Sequence, residues 1–340
     1  MVAREAVRDS RAIMRIQHEQ VRRVGVIVKP PMSKPCPTLA ELPPPPAGLT
    51  GWPWTEASPI LPENAPDERR WPRISIVTPS FNQREFVEAS LRSVLLQGYP
   101  NLEVIVVDGG SHDGSVDAIA KYGTWLKKWV SERDAGPAQA LNKGFKQATG
   151  EILGFLNADD FYLPGALAKV AREFRMYPSA DVVSGHGYLA TSSGQLGVPV
   201  FSDRWNVRRF EYGTCVFVQQ ATFFRRRAFE QVGGFNESMR TSWDMELWGD
   251  LARAGATFHG FEEFVAAFRL HSGSITGSPS LRSQRDQDTR AILQKFRGRQ
   301  EQPRDRLFRL FHRLRKFCGH PRRTLQQRAF LFATLKRWSM

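Results

Sequence analysis

At 340 residues, with 41% apolar and 24% charged side chains, the chain can bury one large core or two modest ones. Its net charge of +14 is concentrated, because residues 281–340 hold 17 basic and 4 acidic side chains and leave a net of only +1 for the rest. There is no apolar run for a spanning helix and no apolar signal core at the N-terminus, and Cys36, Cys215 and Cys318 are too scattered for a disulfide framework or a zinc site, so a cytoplasmic location is expected.

In chain order, residues 1–24 predict a short helix of mixed charge with Ile13, Ile16, Gln20 and Val24 along one side. Residues 30–72 contain 13 of the 22 prolines, Pro43 to Pro46 among them. Proline lacks an amide donor and fixes its own φ, so the leader of residues 1–72 is expected to be partly extended and to stay out of the core. Trp52, Trp54 and Trp71 are placed to clip it onto the surface.

The pattern changes at Arg73. Ile74 to Val77 predicts a strand broken by Pro79-Ser80-Phe81-Asn82. Phe86, Val87, Leu91, Val94 and Leu95 follow at helical spacing, ended by Gly98 and Pro100. Leu102 to Val107 predicts a second strand, Val116, Ile119 and Ala120 a short helix, and Trp129-Val130 a third strand. Leu141, Phe145 and Ala148 mark a helix that stops at Gly150. Ile152 to Leu156 is a fourth strand, with a helix through Leu167, Val170, Ala171 and Phe174 after it. This alternation predicts an α/β fold, a mostly parallel central sheet with helices on both faces.

In such sheets ligands bind beyond the carboxyl ends of the strands. Polar clusters stand at all four: Thr78 to Asn82, Asp108 to Ser115, Glu132 to Gly136, and Asn157 to Asp160. No Gly-x-x-x-x-Gly-Lys-Ser/Thr loop is present, and no Gly-x-Gly-x-x-Gly follows the first strand, so ATPase and dinucleotide chemistry are disfavoured. Asp159, with Asn157 just before it, suits a hard divalent cation that takes its other ligands from water and phosphate. Asp108 is placed to accept hydrogen bonds from a nucleobase or a ribose.

Residues 73–275 resemble the inverting family 2 glycosyltransferases of GT-A fold, of the bacterial cell-surface polysaccharide type. The resemblance is carried by Ile76-Val77-Thr78-Pro79-Ser80-Phe81-Asn82, by Val106 to Ser115, by Asp134 to Gly144 and by Gly150 to Asp160. Downstream it continues through Gln219 to Arg226, Val232 to Glu237, Trp243-Asp244-Met245-Glu246-Leu247-Trp248 and Phe268 to Thr276. It implies a nucleotide-binding half over residues 73–160 and an acceptor half over residues 161–280. It also implies transfer of a sugar from a nucleoside diphosphate to an acceptor hydroxyl of a glycan or lipid-linked glycan. Thr78, Pro79, Phe81, Asn82, Asp108, Gly109, Asp134, Lys143, Asn157 and Ala158 would bind the nucleotide sugar, and Asp159 and His271 a Mn2+ or Mg2+ ion. Asp244 would be the general base, on a helix that buries Leu247, Trp248 and Leu251.

Alternatives stay open for several of these residues: a helix cap for Asp244 and Asp159, a structural histidine for His271, a solvated lysine for Lys143. Two positions depart from the family pattern. Gly109 stands where many relatives carry a second Asp that reads the base, and Asn157 replaces the first Asp of the acidic triplet. A non-catalytic nucleotide-sugar-binding relative and a sugar-1-phosphate nucleotidylyltransferase are the enzymatic-fold alternatives, although the latter normally opens with a Gly-rich, Arg-containing loop.

Residues 281–340 predict a basic amphipathic helical tail. Leu307, Leu310, Phe311, Leu314 and Phe317 share one face, with Arg306, Arg309, Arg313 and Lys316 elsewhere. Such a helix suits either an anionic membrane surface through residues 306–317, at the inner face of the cell membrane, or packing on the domain. Nucleic-acid binding would need a basic-aromatic platform, and none accompanies the charge. The acceptor pocket is expected from Val182 to Tyr212.

Overall fold

The structure is a computed structural model describing residues 36–319 together with Leu325 and Ala329. The helix expected over residues 1–24 lies outside the described residues. Four strands come first: β1 (Ile74–Ser80), β2 (Leu102–Asp108), β3 (Lys128–Ser131) and β4 (Ile152–Phe155). They pair in parallel in the order β3-β2-β1-β4. Helices α1 (Val87–Leu95), α2 (Ser115–Ala120) and α3 (Pro137–Phe145) connect them. Alternation along each strand splits the apolar residues between two cores. Ile74, Ile76, Val104 and Val106 join Val87 and Leu91 of α1, whereas Val77, Ile105 and Val107 join Leu141 and Phe145 of α3.

Pro79 does not break β1, contrary to expectation. It pairs with Val107, and its carbonyl accepts from Ala158 N at 3.2 Å, so its missing amide would point toward β4. The paired register with β4 ends at Val77 and Phe155, so the proline stands past the end of that ladder, where a missing amide is tolerated.

The second half contains β5 (Phe161–Tyr162), α4 (Ala166–Met176), β6 (Val182–Ala190), β7 (Leu196–Val200) and α5 (Val207–Glu211). It continues with β8 (Thr222–Arg225), α6 (Arg226–Gln231), α7 (Trp243–Arg253) and β9 (Phe258–Arg269). β8 adds antiparallel to β4, and the order runs on as β8-β6-β9-β5 with β7 on β6. The nine-stranded sheet is therefore parallel through its first four strands and mixed beyond them. Two helices close the described chain, α8 (Arg282–Arg297) and α9 (Pro303–Gly319). α8 buries Ile292 and Leu293 beside α7, while α9 leaves Leu307, Leu310, Phe311 and Leu314 more than half exposed. The first turns of α9 hold it to the body: Asp305 accepts from Arg299 at 2.6 and 2.8 Å, and Phe308 stacks on Tyr212 at 5.1 Å.

The proline-rich segment corrects the expectation that it avoids the core. Leu42, Ala65 and Trp71 are buried in the core under α1, with Trp71 edge-on to Tyr99 at 5.8 Å. Extended proline-rich backbone has carbonyls in excess of amides, and the domain supplies the donors. Arg92, fully buried on α1, donates to the carbonyls of Pro53, Pro43 and Trp54 at 2.9, 2.7 and 2.8 Å. Trp52 Nε1 donates to the Tyr162 carbonyl at 2.7 Å. Gly98 permits the close approach, since a Cβ there would lie 2.2 Å from the Pro59 carbonyl oxygen.

Candidate active site

A cavity of about 800 Å3 opens at the carboxyl ends of β1, β2 and β4 and runs to the start of α7. Eight of the expected residues line it: Pro79, Phe81, Gly109, Asp134, Asn157, Ala158, Asp159 and Asp244. Thr78, Asn82, Asp108, Lys143 and His271 are not among its lining residues.

At the β2 end, Asp108 is fully buried and its carboxylate shapes its own turn instead of facing the cavity. It accepts from Gly110 N, Ser111 N and Oγ, and Ser131 Oγ at 3.1, 2.8, 2.6 and 2.7 Å. Asn82, in the left-handed region at φ 52°, ties the β1 turn to this loop, donating its amide to Ser111 Oγ and accepting from His112 N. Lys143 is spent on Glu132 at 2.9 Å. Thr78 is fully buried.

The cavity wall here is made by Phe81, exposed at the mouth, and by Gly109 with Asp134. A Cβ on Gly109 would lie 3.0 Å from Asp134 Oδ2 and 3.2 Å from Oδ1, so the glycine makes room for that carboxylate. Asp134 Oδ1 accepts from Gly136 N at 2.9 Å, and burial, with Asp108 and Glu132 adding to it, raises the Asp134 pKa. Ser80 Oγ and Trp243 Nε1 are buried without a hydrogen-bond partner among the described residues, and both residues line the cavity. Buried polar atoms of this kind are uncommon in folded proteins and call for a ligand or water.

At the β4 end, Asn157 to Asp160 form a turn closed by Asp160 N donating to the Asn157 carbonyl at 2.9 Å. Three residues that sequence reasoning gave no role organise it. Gln219 donates to the Phe155 carbonyl and lies 3.3 Å from Asn157 Nδ2, while Gln220 donates to Asp160 Oδ2 at 2.7 Å. Arg269 donates its amide to Asp160 Oδ1 at 3.0 Å and its guanidinium to the Asp159 carbonyl, over the rings of Phe161 and Phe86. Asp160 itself is enclosed, and burial, then the neighbouring Asp159, push its pKa well up. The adjacent amides before an apolar strand were the available signal for Gln219 and Gln220.

Asp159 lines the cavity, with Oδ2 3.0 Å from His271 Nε2. One carboxylate beside one imidazole fits a divalent ion that completes its shell with water and phosphate oxygens. Among the described residues no cluster of three or more His, Cys, Asp or Glu would hold a metal unaided. The capping alternative does not hold for Asp159, because Gly165 caps α4.

Asp244 sits in the first turn of α7, whose cap residue is Ser242, so it is no N-cap either. Leu247, Trp248 and Leu251 share a face of that helix with Asp244 and are buried, as is Trp243. Burial raises the Asp244 pKa, and the residue keeps part of its surface open to the cavity. Val200, within the region expected to form the acceptor pocket, makes an apolar wall with Val216, Phe217 and Val218.

Residues 75–233 match the family model described as Glycosyl transferase family 2. A curated relative, the putative teichuronic acid biosynthesis glycosyltransferase TuaG of Bacillus subtilis, is 31% identical over 61% of this chain and 82% of its own length. Two solved structures share the fold. The mannosyltransferase PcManGT from Pyrobaculum calidifontis, in complex with GDP-Man and Mn2+, aligns with a TM-score of 0.53 at 21% identity, covering 81% of this chain and 76% of its own. S. aureus TarS in complex with UDP-GlcNAc aligns with a TM-score of 0.51 at 20% identity, covering 66% and 71%.

Proposed function

From the chain's membership of glycosyl transferase family 2, we propose that the cavity transfers a sugar from a nucleoside diphosphate to a glycan or lipid-linked glycan hydroxyl, with inversion and with Asp244 as general base. The observation that carries this reading is one continuous cavity joining Asp134, Asp159 and Asp244. Phe81 offers a face to the nucleobase, and the Asp134 carboxylate accepts from a ring N–H. Uracil, thymine and guanine carry such a proton, whereas adenine and neutral cytosine do not. Ser80 Oγ and Trp243 Nε1 supply unpaired polar atoms to a bound substrate.

Asp159 and His271 would hold Mn2+ or Mg2+. When bound, the ion neutralises the diphosphate as it leaves. Asp244 takes the proton of the acceptor hydroxyl, which attacks the anomeric carbon from the face opposite the nucleotide. A single displacement of this kind needs no protein nucleophile.

A thermal-shift panel tests the donor site with UDP, GDP, dTDP and CMP, each with Mn2+, Mg2+ or EDTA. The expected result is stabilisation by a uracil, thymine or guanine nucleotide, about 2.7 kcal/mol at ~100 times the Kd. That shift should need the metal and vanish in Asp159→Ala. A flat response to all four nucleotides in wild-type protein would refute the donor site, and with it the transferase reading.

The acceptor side faces a membrane in this proposal. No helix among the described residues is long and apolar enough to cross one. The exposed face of Leu307, Leu310, Phe311 and Leu314, with Arg306, Arg313 and Arg315 on the same helix, suits the interface of an anionic bilayer at the inner face of the cell membrane. The relative's role in teichuronic acid biosynthesis and the apolar wall at Val216 to Val218 support a lipid-linked glycan acceptor. Flotation should find the protein on phosphatidylglycerol vesicles at low salt and not on phosphatidylcholine, with Phe311→Glu releasing it. Equal flotation on both lipids, or retention on DNA over the same salt range, would refute the anionic-membrane assignment.

A further inference from the structure

The helix that carries Asp244 is held by α8, the first helix of the basic C-terminal segment. Asp288 on α8 is buried, and its Oδ2 accepts both Thr241 N at 2.9 Å and Thr241 Oγ1 at 2.6 Å. Its Oδ1 accepts from Gln284 Nε2 at 2.7 Å, so both carboxylate oxygens are engaged. Thr241 is itself fully buried, and the next residue, Ser242, sits in the left-handed region at φ 58°. A non-glycine residue holds that conformation only where its surroundings impose it, and such strain clusters at functional sites. Trp243 and Asp244 follow at once as the first turn of α7.

The same helix grips α7 further along. Lys295 Nζ reaches Glu246 and Asp250, each at 2.8 Å, and Arg253 donates to the Lys295 carbonyl at 2.8 Å. Near the other end of α8, Arg285 lines the cavity and donates to the carbonyls of Ile275 and Ser278, securing the loop that forms the facing wall. The Lys295 bonds act on Glu246 in the first turn and on Asp250 beyond it. The Asp288 bonds act earlier, on Thr241, ahead of the turn that sets where the first residues of α7 point.

We propose that Asp288 is a positioning residue for the reaction, holding the strained Thr241-Ser242 turn so that Asp244 faces the acceptor hydroxyl. The inference rests on the reading of Asp244 as the base. A displacement of about 1 Å in a reacting group can cost on the order of 10²-fold in rate. Asp288→Ala and Thr241→Val are expected to lower kcat by about 10- to 100-fold while leaving nucleotide affinity unchanged, because Phe81, Asp134 and Asp159 lie on other elements. The double variant should be no slower than either single one, since both remove the same bonds. Thr241→Ser keeps both donors and should retain kcat. Leu293→Ala, which removes packing from the same helix, serves as the control for stability. Wild-type kcat in Asp288→Ala, or a kcat loss in Leu293→Ala equal to that of Asp288→Ala, would overturn the proposal. Asp244→Asn is measured alongside. If it transfers sugar at the wild-type rate, the base reading fails and this inference fails with it. If it is inactive while Asp288→Ala is normal, only the positioning role is lost.

Discussion

Replacing Asp244 with Asn should cut kcat by about 10²–10⁴-fold and, at neutral pH, make the protein more stable. The two effects have one cause. Burial raises the carboxyl pKa in the fold, whereas in the unfolded chain it keeps its ordinary value near 3.9. The folded state therefore binds this proton more tightly than the unfolded one. Its contribution to stability is fully present below the ordinary pKa and is lost as pH rises through the raised value. At neutral pH wild-type protein holds a charge that its surroundings disfavour, and the amide removes that charge at nearly constant shape. The Tm gap between variant and wild type should widen from about pH 4 upward and level off above the raised pKa. In the same window the wild-type kcat should climb, since only the ionised carboxylate accepts a proton. A variant that keeps its kcat would exclude Asp244 as base, and a pH-independent Tm gap would exclude the burial argument.

Arg92→Met carries the largest expected loss of stability, on the order of 4 kcal/mol. Methionine replaces much of the apolar volume, so the change isolates the hydrogen bonds. Three carbonyls in the 36–72 segment lose their donor together, and an unmet buried polar group costs about 1–3 kcal/mol. The contact of the guanidinium with the Trp54 ring, at 5.5 Å, goes as well. Urea unfolding gives the magnitude, and limited proteolysis should show new cleavage between residues 36 and 72. A loss below about 1 kcal/mol would mean that Leu42, Ala65 and Trp71 hold the segment by apolar contact alone.

Arg92 also shows where sequence reasoning stopped. Buried parallel strands announce themselves as apolar runs, so β1 to β4 were legible, and the polar residues just beyond them marked the site. The fate of an individual carboxylate was not legible. Asp108 ends a buried strand and Asp159 follows one, yet the first turns back to hold its loop and the second lines the cavity. A strand-end carboxylate is equally suited to either task, and the donors that decide it come from residues such as Ser131, far along the chain. The proline-rich stretch reads as an extended leader because its own amides are scarce. Its partners were hidden in a helix some 38 to 49 residues later. Asp288 escaped notice for the same reason: in a basic segment its local company suggests a solvated charge, and only the fold brings Thr241 to it.

The crevice between Gly109 and Asp134 decides which wall presents the acceptor. A Cβ at 109 would lie 3.0 Å from Asp134 Oδ2, closer than ordinary van der Waals contact, so a side chain rooted at the β2 turn would need the Asp134 carboxylate to give way. In this chain the acid reaches the crevice from beyond β3, across a bare glycine, and the strands beneath are indifferent to which of the two turns carries it.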